Sequence, residues 1–427
     1  MRSLRKRVRS RRVPRFIADL HIHSRYSIAT SQDMGIPEVV RWAKRKGIAL
    51  MGTGDFTHPK YRQEIAATLE EDGHGLLLPR EGDGSVRFML STELSAVYAQ
   101  GGKTRKVHLL VYAPTLAAAD ALIRALQVRG RLEVDGRPTF AMSARDLTRV
   151  VLDACPDCMV IPAHAWTPWF SVFGANSGFD SLEECFQDMT PHIKAIETGL
   201  SSDPAMNWRL SKLDGITLVS NSDAHSPSRI GREANVFDCA LDYWQLKEVI
   251  ETGDRSRFLM TIEFFPEEGK YHFDGHRRCG VVFSPEETKR HGGCCPVCGR
   301  PLTVGVMHRV DELADRPQGF VPANAIPAVH LIPLQEIIAE ALGQGVDTVG
   351  VQNEYLRLVA EAGSEFRLLL DLEEPQLAGF VPERILTGIM RVRQGKLHIV
   401  PGHDGEFGKI EIFGQEERSG REQLSLF

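Results

Sequence analysis

The chain has 427 residues, of which 42% are hydrophobic and 25% charged, so it is neither a disordered nor a fibrous protein. The formal net charge is −5, and no apolar run approaches the roughly 20 residues that a membrane span needs. No apolar stretch follows the arginine-rich start, which argues against a secretion signal. We therefore expect a cytoplasmic protein that is long enough for several domains.

Positive charge is concentrated at the start of the chain. Residues 2–15 contain eight Lys and Arg and no acid, and the rest of the chain carries a net negative charge. Such a basic arm, taken here as residues 1–15, either contacts nucleic acid phosphates or is a solvated, disordered tail. An acidic body binds a polyanion poorly unless bound cations change the local charge.

One theme recurs between residue 16 and about residue 225: a short apolar run ends in His, Asp or Glu, and a helix-like stretch often follows. This alternation predicts a parallel, closed α/β sheet. In such a barrel, the side chains at the carboxyl ends of the strands meet at one mouth. The predicted strands are 16–23, 48–55, 87–93, 106–112, 159–164, 193–197 and 217–225.

Every predicted strand ends with a potential metal ligand. A single His on an apolar strand is more often a buried core residue, but seven coincident endings argue against that interpretation. Ligands that offer nitrogen and oxygen without thiolate suit Zn²⁺, Mn²⁺ or Fe. The set is too large for one ion, and Glu93 could bridge two cations, as in phosphoester hydrolysis. The candidate ligands are His21, His23, Asp55, Glu93, His108, His164, Glu197, Asp223 and His225.

The motifs at 21–24, 52–55, 91–94, 107–108, 162–164 and 222–225 resemble those of the polymerase and histidinol phosphatase (PHP) superfamily. The resemblance implies a distorted (β/α)7 PHP barrel with two or three divalent metals, Zn, Mn or Mg. One ion would be held by His21, His23, Glu93 and Asp223, and the second by Glu93, His108 and His164. A third would use His225, Asp55 and His58, although Phe56 stands where the family has a His. Glu197 is either a ligand or a residue behind the ligands.

A second cluster of candidate ligands, which is rich in cysteine, predicts a structural zinc site. His276 with Cys279, and Cys295 with Cys298, have the spacing and the following Gly of a metal knuckle. Four ligands close a tetrahedron and leave no open position for chemistry. Cys294 or His272 could replace one ligand. Cys155 and Cys158 have the same spacing without a second pair, and we predict a helix end there instead.

Residues 271–276 and 309–316 extend the resemblance to the endonuclease Q family, from about residue 16 to residue 413. It implies a barrel at 16–263, a zinc-binding module at 264–310, a mixed α/β DNA-recognition domain at 311–413 and a flexible tail at 414–427. The implied activity is a DNA repair endonuclease, which cuts double- or single-stranded DNA 5′ of uracil, hypoxanthine, xanthine or an abasic site. The alternative is a PHP-type phosphatase of a small phosphomonoester. The expected catalytic residues are Asp55, Glu93, Asp223 and His225.

The last five residues resemble the bacterial sliding-clamp binding motif. They are Gln423, Leu424, Ser425, Leu426 and Phe427, and they follow a polar stretch that has no core-forming pattern. Burial of Leu426 and Phe427 would contribute roughly 1.5–3 kcal/mol each, which suffices for a weak tether. The resemblance implies the polymerase sliding clamp as a partner and a nucleoid-associated enzyme, while chance or docking within the chain is the alternative.

Overall fold

The protein is described as a computed structural model that covers residues 15–414 and Glu417. Most of the strands lie in the first 263 residues. They are β1 (Phe16–Asp19), β2 (Leu50–Gly52), β3 (Leu69–Glu71), β4 (Leu77–Pro79), β5 (Arg87–Gln100), β6 (Lys103–Ala113), β7 (Thr139–Phe140), β8 (Met159–Pro162), β9 (Ala195–Glu197), β10 (Thr217–Val219), β11 (Ala234–Phe237), β12 (Phe258–Glu263), β13 (Asp274–His276), β14 (Val281–Phe283), β15 (Ala328–His330), β16 (His398–Val400) and β17 (Lys409–Glu411).

Helices alternate with the early strands and dominate the later part of the chain. None of them, within the part of the chain that the structure describes, is long and apolar enough to cross a membrane. They are α1 (Ile36–Lys46), α2 (Pro59–Thr68), α3 (Leu116–Gln127), α4 (Ala144–Ala154), α5 (Leu182–Phe186), α6 (Pro204–Asn207), α7 (Tyr243–Thr252), α8 (Pro285–Arg290), α9 (Val306–Leu313), α10 (Leu334–Leu342), α11 (Val349–Ala362), α12 (Glu374–Leu377) and α13 (Glu383–Arg393).

Local sequence signals set several helix ends. Gly47 ends α1 with φ of 88°, a left-handed conformation that glycine adopts without steric cost. The Ser143 side chain accepts a hydrogen bond from the Asp146 backbone N–H and begins α4, which ends at Cys155 as predicted. Gly343 ends α10 in the same way as Gly47 ends α1.

All seven predicted strands are present, but the sheet is mixed and not parallel as expected. β1, β2 and β5 are parallel neighbours, whereas β6 runs antiparallel to both β5 and β8. The reason is the pair Gly101–Gly102, which has φ of 62° and 73° and turns β5 directly back into β6. A two-residue Gly-Gly turn favours a hairpin over a crossover helix. Glu93 and His108 consequently lie within long strands and not at the ends of short ones.

The ends of the strands that carry the ligands are also linked outside the regular ladders. The backbone N–H of His23 donates to the Ala224 carbonyl at 3.0 Å, and that of Ala165 donates to the Glu197 carbonyl at 2.9 Å. These bonds connect the continuation of β1 with that of β10, and the continuation of β8 with β9. Residues after β1, β8, β9 and β10 therefore approach one another at one edge of the fold.

Two buried glutamates lie side by side where β11 begins and β12 ends. Glu233 is one residue beyond the Ala234–Ile262 pair of this antiparallel ladder, next to Glu263, and both side chains are fully buried. Glu263 accepts a hydrogen bond from the Thr198 hydroxyl at 3.1 Å, while its Oε1 and the Oε2 of Glu233 have no partner. Burial raises the pKa of both groups, that of Glu263 to about 7, and the Glu263 carboxyl further disfavours ionisation of Glu233.

We expect Glu263→Gln to flatten the decline in stability between pH 5 and pH 8. The folded protein holds a proton on this pair that the unfolded chain releases above about pH 4.3, so wild-type stability falls as the pH rises towards the folded pKa. Between pH 5 and pH 8, the free energy of unfolding of the variant should rise by about 2 kcal/mol relative to that of wild type. Thermal unfolding at both pH values measures it, with the exposed Glu70→Gln as control. Parallel pH profiles for Glu263→Gln and wild type would contradict the prediction.

Candidate metal centre

Two imidazoles and a carboxylate form the first group of candidate ligands. His23 Nε2 lies 3.0 Å and His21 Nε2 3.6 Å from Asp223 Oδ1. None of these three buried atoms has a hydrogen-bond partner of acceptable geometry. Buried polar atoms without partners are rare in native proteins, and three that converge within 4.8 Å match the demands of a cation.

Glu93, His108 and His164 form the second group, in which all three residues are buried. Glu93 Oε1 lies 2.7 Å from His108 Nδ1 and 3.0 Å from His164 Nε2. The two ring nitrogens are 3.3 Å apart. When both of these nitrogens are deprotonated their lone pairs repel each other, and a cation bound between them would satisfy both.

Glu93 connects the two groups. Its Oε1 faces the second group, while its Oε2 lies 3.3 Å from His23 Nε2 and 3.9 Å from His21 Nε2. One carboxylate therefore offers an oxygen to each group, as a ligand that bridges two metals does. The bridging role of Glu93 and the assignment of these residues to two ions stay predictions.

Glu197 lies behind the ligands. Both of its oxygens are 3.1 Å from His21 Nδ1, on the opposite side of the ring from Asp223. Glu197 also accepts hydrogen bonds from the His164 backbone N–H at 2.8 Å and from Asn221 Nδ2 at 2.9 Å. A carboxylate at the far nitrogen fixes the tautomer and orientation of a ligating His.

Asp55 occupies the equivalent position behind His23. Asp55 Oδ1 is 3.1 Å from His23 Nδ1, and Oδ2 accepts hydrogen bonds from the Ser24 N–H, the Ser24 hydroxyl and the Ser27 hydroxyl. It belongs to neither ligand group among the described residues. This arrangement orients His23, and the assignment of Asp55 to a third ion stays a prediction.

The other residues expected at a third site are close by. The His225 ring lies 4.5 Å from that of His23, and its Nδ1 donates to the Asp223 carbonyl at 2.9 Å. This leaves Nε2 of His225 with a lone pair. His58 stacks on Tyr26 at 4.6 Å, and its buried Nδ1 has no hydrogen-bond partner. The described residues do not bring His225, Asp55 and His58 together as a ligand group.

Charge is densely packed at this centre. Burial acts to lower the pKa of His21, but the Glu197 and Asp223 carboxylates outweigh burial and raise it to about 9. Burial prevails at His108, whose pKa falls to about 4. The pKa of Glu93 stays well below its ordinary value despite burial, because His108 and His164 stabilise the carboxylate. A cation that binds at this centre must therefore compete with protons for the same ligand atoms.

Three of the motif residues have unusual backbone conformations. Asp55, His164 and Asp223 have φ of 44°, 30° and 47°, in the left-handed region that residues other than glycine rarely adopt. Such residues cluster at functional sites, where the surrounding structure holds them in place. Their side chains meet because the backbone turns sharply at the end of each strand.

The cysteine-rich segment also forms a compact ligand group. The candidate atoms of His276, Cys279, Cys295 and Cys298 lie within 4.8 Å of one another, and neither Cys294 nor His272 joins them among the described residues. The Gly299 N–H donates to the Cys295 carbonyl at 2.8 Å and closes the tight turn. Four nitrogen and sulfur donors at this spacing fit a tetrahedral zinc ion.

Two residues near the centre, Arg137 and Asp19, were not singled out from the sequence. Arg137 Nη1 lies 3.3 Å from Glu93 Oε2, although it is 44 positions away in sequence. Asp19 is buried below the centre and accepts hydrogen bonds from the Ser222 and Gly231 N–H groups. The sequence does contain a signal for Asp19. It stands two residues before His21 on the same apolar strand, and side chains at that spacing point to the same face.

Comparisons with known proteins relate the whole chain to one family. A profile described as the MJ0043 C-terminal domain matches residues 333–396. The uncharacterized protein MJ0043 of Methanocaldococcus jannaschii is 32% identical over 273 residues, which are 62% of this chain, and the chain spans only 33% of that protein. The uncharacterized protein YqxK of Bacillus subtilis is 30% identical over 409 residues, or 92% of this chain and 98% of YqxK.

Two solved structures share the fold over nearly the full length. The lesion-specific endonuclease PfuEndoQ from Pyrococcus furiosus is 32% identical, with a TM-score of 0.83 over 97% of this chain and 99% of that protein. Endonuclease Q in complex with a 27-mer duplex that carries an abasic lesion at the active site is 32% identical, with a TM-score of 0.82 over 94% and 98% of the two chains. By identity and coverage together, this chain belongs to the endonuclease Q family.

Proposed function

We propose that the protein is a metal-dependent DNA repair endonuclease that hydrolyses the phosphodiester bond 5′ of deaminated bases and abasic sites. The observation that carries the proposal is Glu93, whose two oxygens face two separate groups of ligands. Family membership supports DNA as the substrate, since a related endonuclease Q binds a duplex with an abasic lesion at its active site. Action on DNA would place the enzyme at the nucleoid.

The residues fit two ions, one for each ligand group, with Zn, Mn and Mg as the candidate metals. Bound ions would polarise the scissile phosphate and activate a water for attack. Asp223 is the ligand carboxylate that substrate can reach, because its side chain is 26% exposed while that of Glu93 is 1% exposed. We assign Asp223 to proton acceptance, and we assign Asp55 to orienting His23. His225, with its free Nε2, is the residue available for a third ion or for the leaving group.

We also propose that β1, β2, β5, β6, β8, β9 and β10 form a distorted seven-stranded barrel. The hydrogen bonds from His23 to Ala224 and from Ala165 to Glu197 support closure between strands that the regular ladders leave unpaired. For the Cys-rich group we propose a structural zinc ion, which would hold the segment after β12 in place. The proposed boundaries of the barrel, the zinc module and the C-terminal domain remain 16–263, 264–310 and 311–413.

A nicking assay tests the activity. The protein loaded with Mn²⁺ or Mg²⁺ should cut a labelled duplex 5′ of an abasic site, uracil or hypoxanthine, and it should leave the undamaged duplex intact. Asp223→Asn should lower the single-turnover rate on the order of 1,000-fold, because it removes a charged ligand that the substrate can reach. Asp83→Asn, at an exposed carboxylate, is the matched control.

Cleavage by Asp223→Asn at the wild-type rate would refute the assignment of the metal centre. Release of inorganic phosphate from histidinol phosphate or a nucleotide, without any cut in damaged DNA, would instead establish the small-molecule phosphatase.

Proton release accompanies metal binding in this proposal. The pKa of His21 is raised to about 9, so at pH 7.5 an incoming ion must displace a proton from it. Calorimetric titration of the metal-free protein with Mn²⁺ in buffers of different ionisation enthalpy should show release of at least about one proton, with an affinity that increases as the pH rises towards 9. Glu197→Gln should release fewer protons. Binding without proton release would contradict the prediction.

The clamp-binding peptide lies outside the described residues and stays a prediction. Deletion of residues 423–427 should weaken binding of the bacterial sliding clamp and leave cleavage of free damaged duplex unchanged, because the peptide is far from the ligands in sequence. Surface plasmon resonance with immobilised clamp measures the affinity, and Leu426→Ala with Phe427→Ala separates side-chain docking from chain length. Equal clamp affinity of the truncated and full-length proteins would remove this partner from the proposal.

A further inference from the structure

We propose that Arg137 binds a non-bridging oxygen of the scissile phosphate. This inference rests on the proposed function, which supplies a phosphodiester substrate, but the residue itself is identified from the geometry. Among the described residues, Arg137 is the only Lys or Arg whose side chain pairs with a carboxylate of the two ligand groups, at 3.3 Å from Glu93 Oε2.

The loop that carries Arg137 is fixed against the metal centre. The Gly136 N–H donates to the Tyr26 carbonyl at 3.0 Å, and the Asp135 side chain accepts from the Ile28 N–H at 3.1 Å. A Cβ at Gly136 would lie 2.4 Å from both Asp55 Oδ2 and Ser27 Oγ, so the backbone can approach only because this residue is glycine. The backbone next to Arg137 is therefore packed against Asp55 and Ser27, the residues whose side chains contact His23 Nδ1.

Most of the guanidinium is not used within the protein. Only Nη1 makes a side-chain hydrogen bond in the described part of the chain, and the side chain is 25% exposed, whereas Glu93 is 1% exposed. A guanidinium carries five N–H donors in a planar fork that matches a phosphate. The unused donors thus lie where an anion that reaches the ligand groups would meet them.

The electrostatics favour a substrate role for Arg137. Glu93 already has His108, His164 and His23 as partners within 3.3 Å, and bound cations would neutralise it further. A guanidinium partner for the same carboxylate is therefore redundant in the loaded protein. Phosphodiester hydrolysis, in contrast, adds negative charge to the phosphate oxygens in the transition state, and a fixed guanidinium stabilises that charge.

Three variants separate this role from a structural one. Arg137→Gln removes the charge, Arg137→Lys keeps the charge but not the fork, and Arg131→Gln alters a 79% exposed Arg of the same loop as control. Arg137→Gln should retain wild-type Mn²⁺ content and melting temperature. It should bind inorganic phosphate at least about 10-fold more weakly in the Mn²⁺-loaded state, and it should cleave the abasic duplex about 100-fold more slowly in single turnover. Arg137→Lys should fall between it and wild type.

A modified substrate provides a second test. A methylphosphonate at the scissile position replaces one anionic oxygen with a methyl group. For the stereoisomer that lacks the contacted oxygen, the rate penalty of Arg137→Gln should disappear, which a purely structural role would not cause.

The outcomes distinguish this inference from the proposed function. Equal phosphate affinity or an equal cleavage rate of Arg137→Gln and wild type would overturn the inference and leave the nuclease intact. Loss of Mn²⁺ from Arg137→Gln would overturn it too, because Arg137 would then serve to hold Glu93. If wild type cuts no damaged duplex, the proposed function fails, while the phosphate titration still decides the role of Arg137.

Discussion

The placement of one buried carboxylate between two sets of imidazoles is the constraint on which the rest of the site depends. A buried charge is costly unless it is paired, and Glu93 is paired on both oxygens by residues from three different strands or strand ends. Every strand that supplies a partner must therefore bring that side chain to the position of Glu93, either within the strand or at its end. The hairpin of β5 and β6 achieves this for Glu93 and His108, and the sharp turns after β1 and β8 achieve it for His23 and His164.

The ligands are also held by residues that contact them on the side away from the two ligand groups. Glu197 and Asp55 occupy the far nitrogens of His21 and His23, and Asp19 holds the backbone that leads to Asp223. These contacts compensate for the left-handed backbone at Asp55, His164 and Asp223, which costs of order 1–3 kcal/mol at each residue. A rigid arrangement of this kind keeps negative charge concentrated in the absence of substrate, and it is one reason why the centre demands cations.

The ligand set could be predicted from the sequence because it depends on strand periodicity, which is local. His21 and His23 share a face at a spacing of two, and the four zinc-type ligands follow a known spacing. The direction of β6 was missed because the Gly101–Gly102 turn competes with a long-range alternation pattern that favours parallel strands. Arg137 and the function of Asp55 behind His23 could not be predicted, and for Glu197 the sequence left two alternatives, a ligand and a residue behind the ligands. Their contacts join residues 32 to 176 positions apart and exist only after folding.

The C-terminal helices are bound to the strand-rich N-terminal part of the chain by more than a linker. Lys46 of α1 forms a 2.8 Å ion pair with Glu365, and both side chains are almost fully buried. Glu365 also accepts hydrogen bonds from the Tyr355 hydroxyl and the Leu334 N–H. Removal of the C-terminal helices would leave Lys46 as an uncompensated buried charge, at a cost of about 3–5 kcal/mol. The helices that carry Leu334, Tyr355 and Glu365 are therefore held in a fixed orientation against α1.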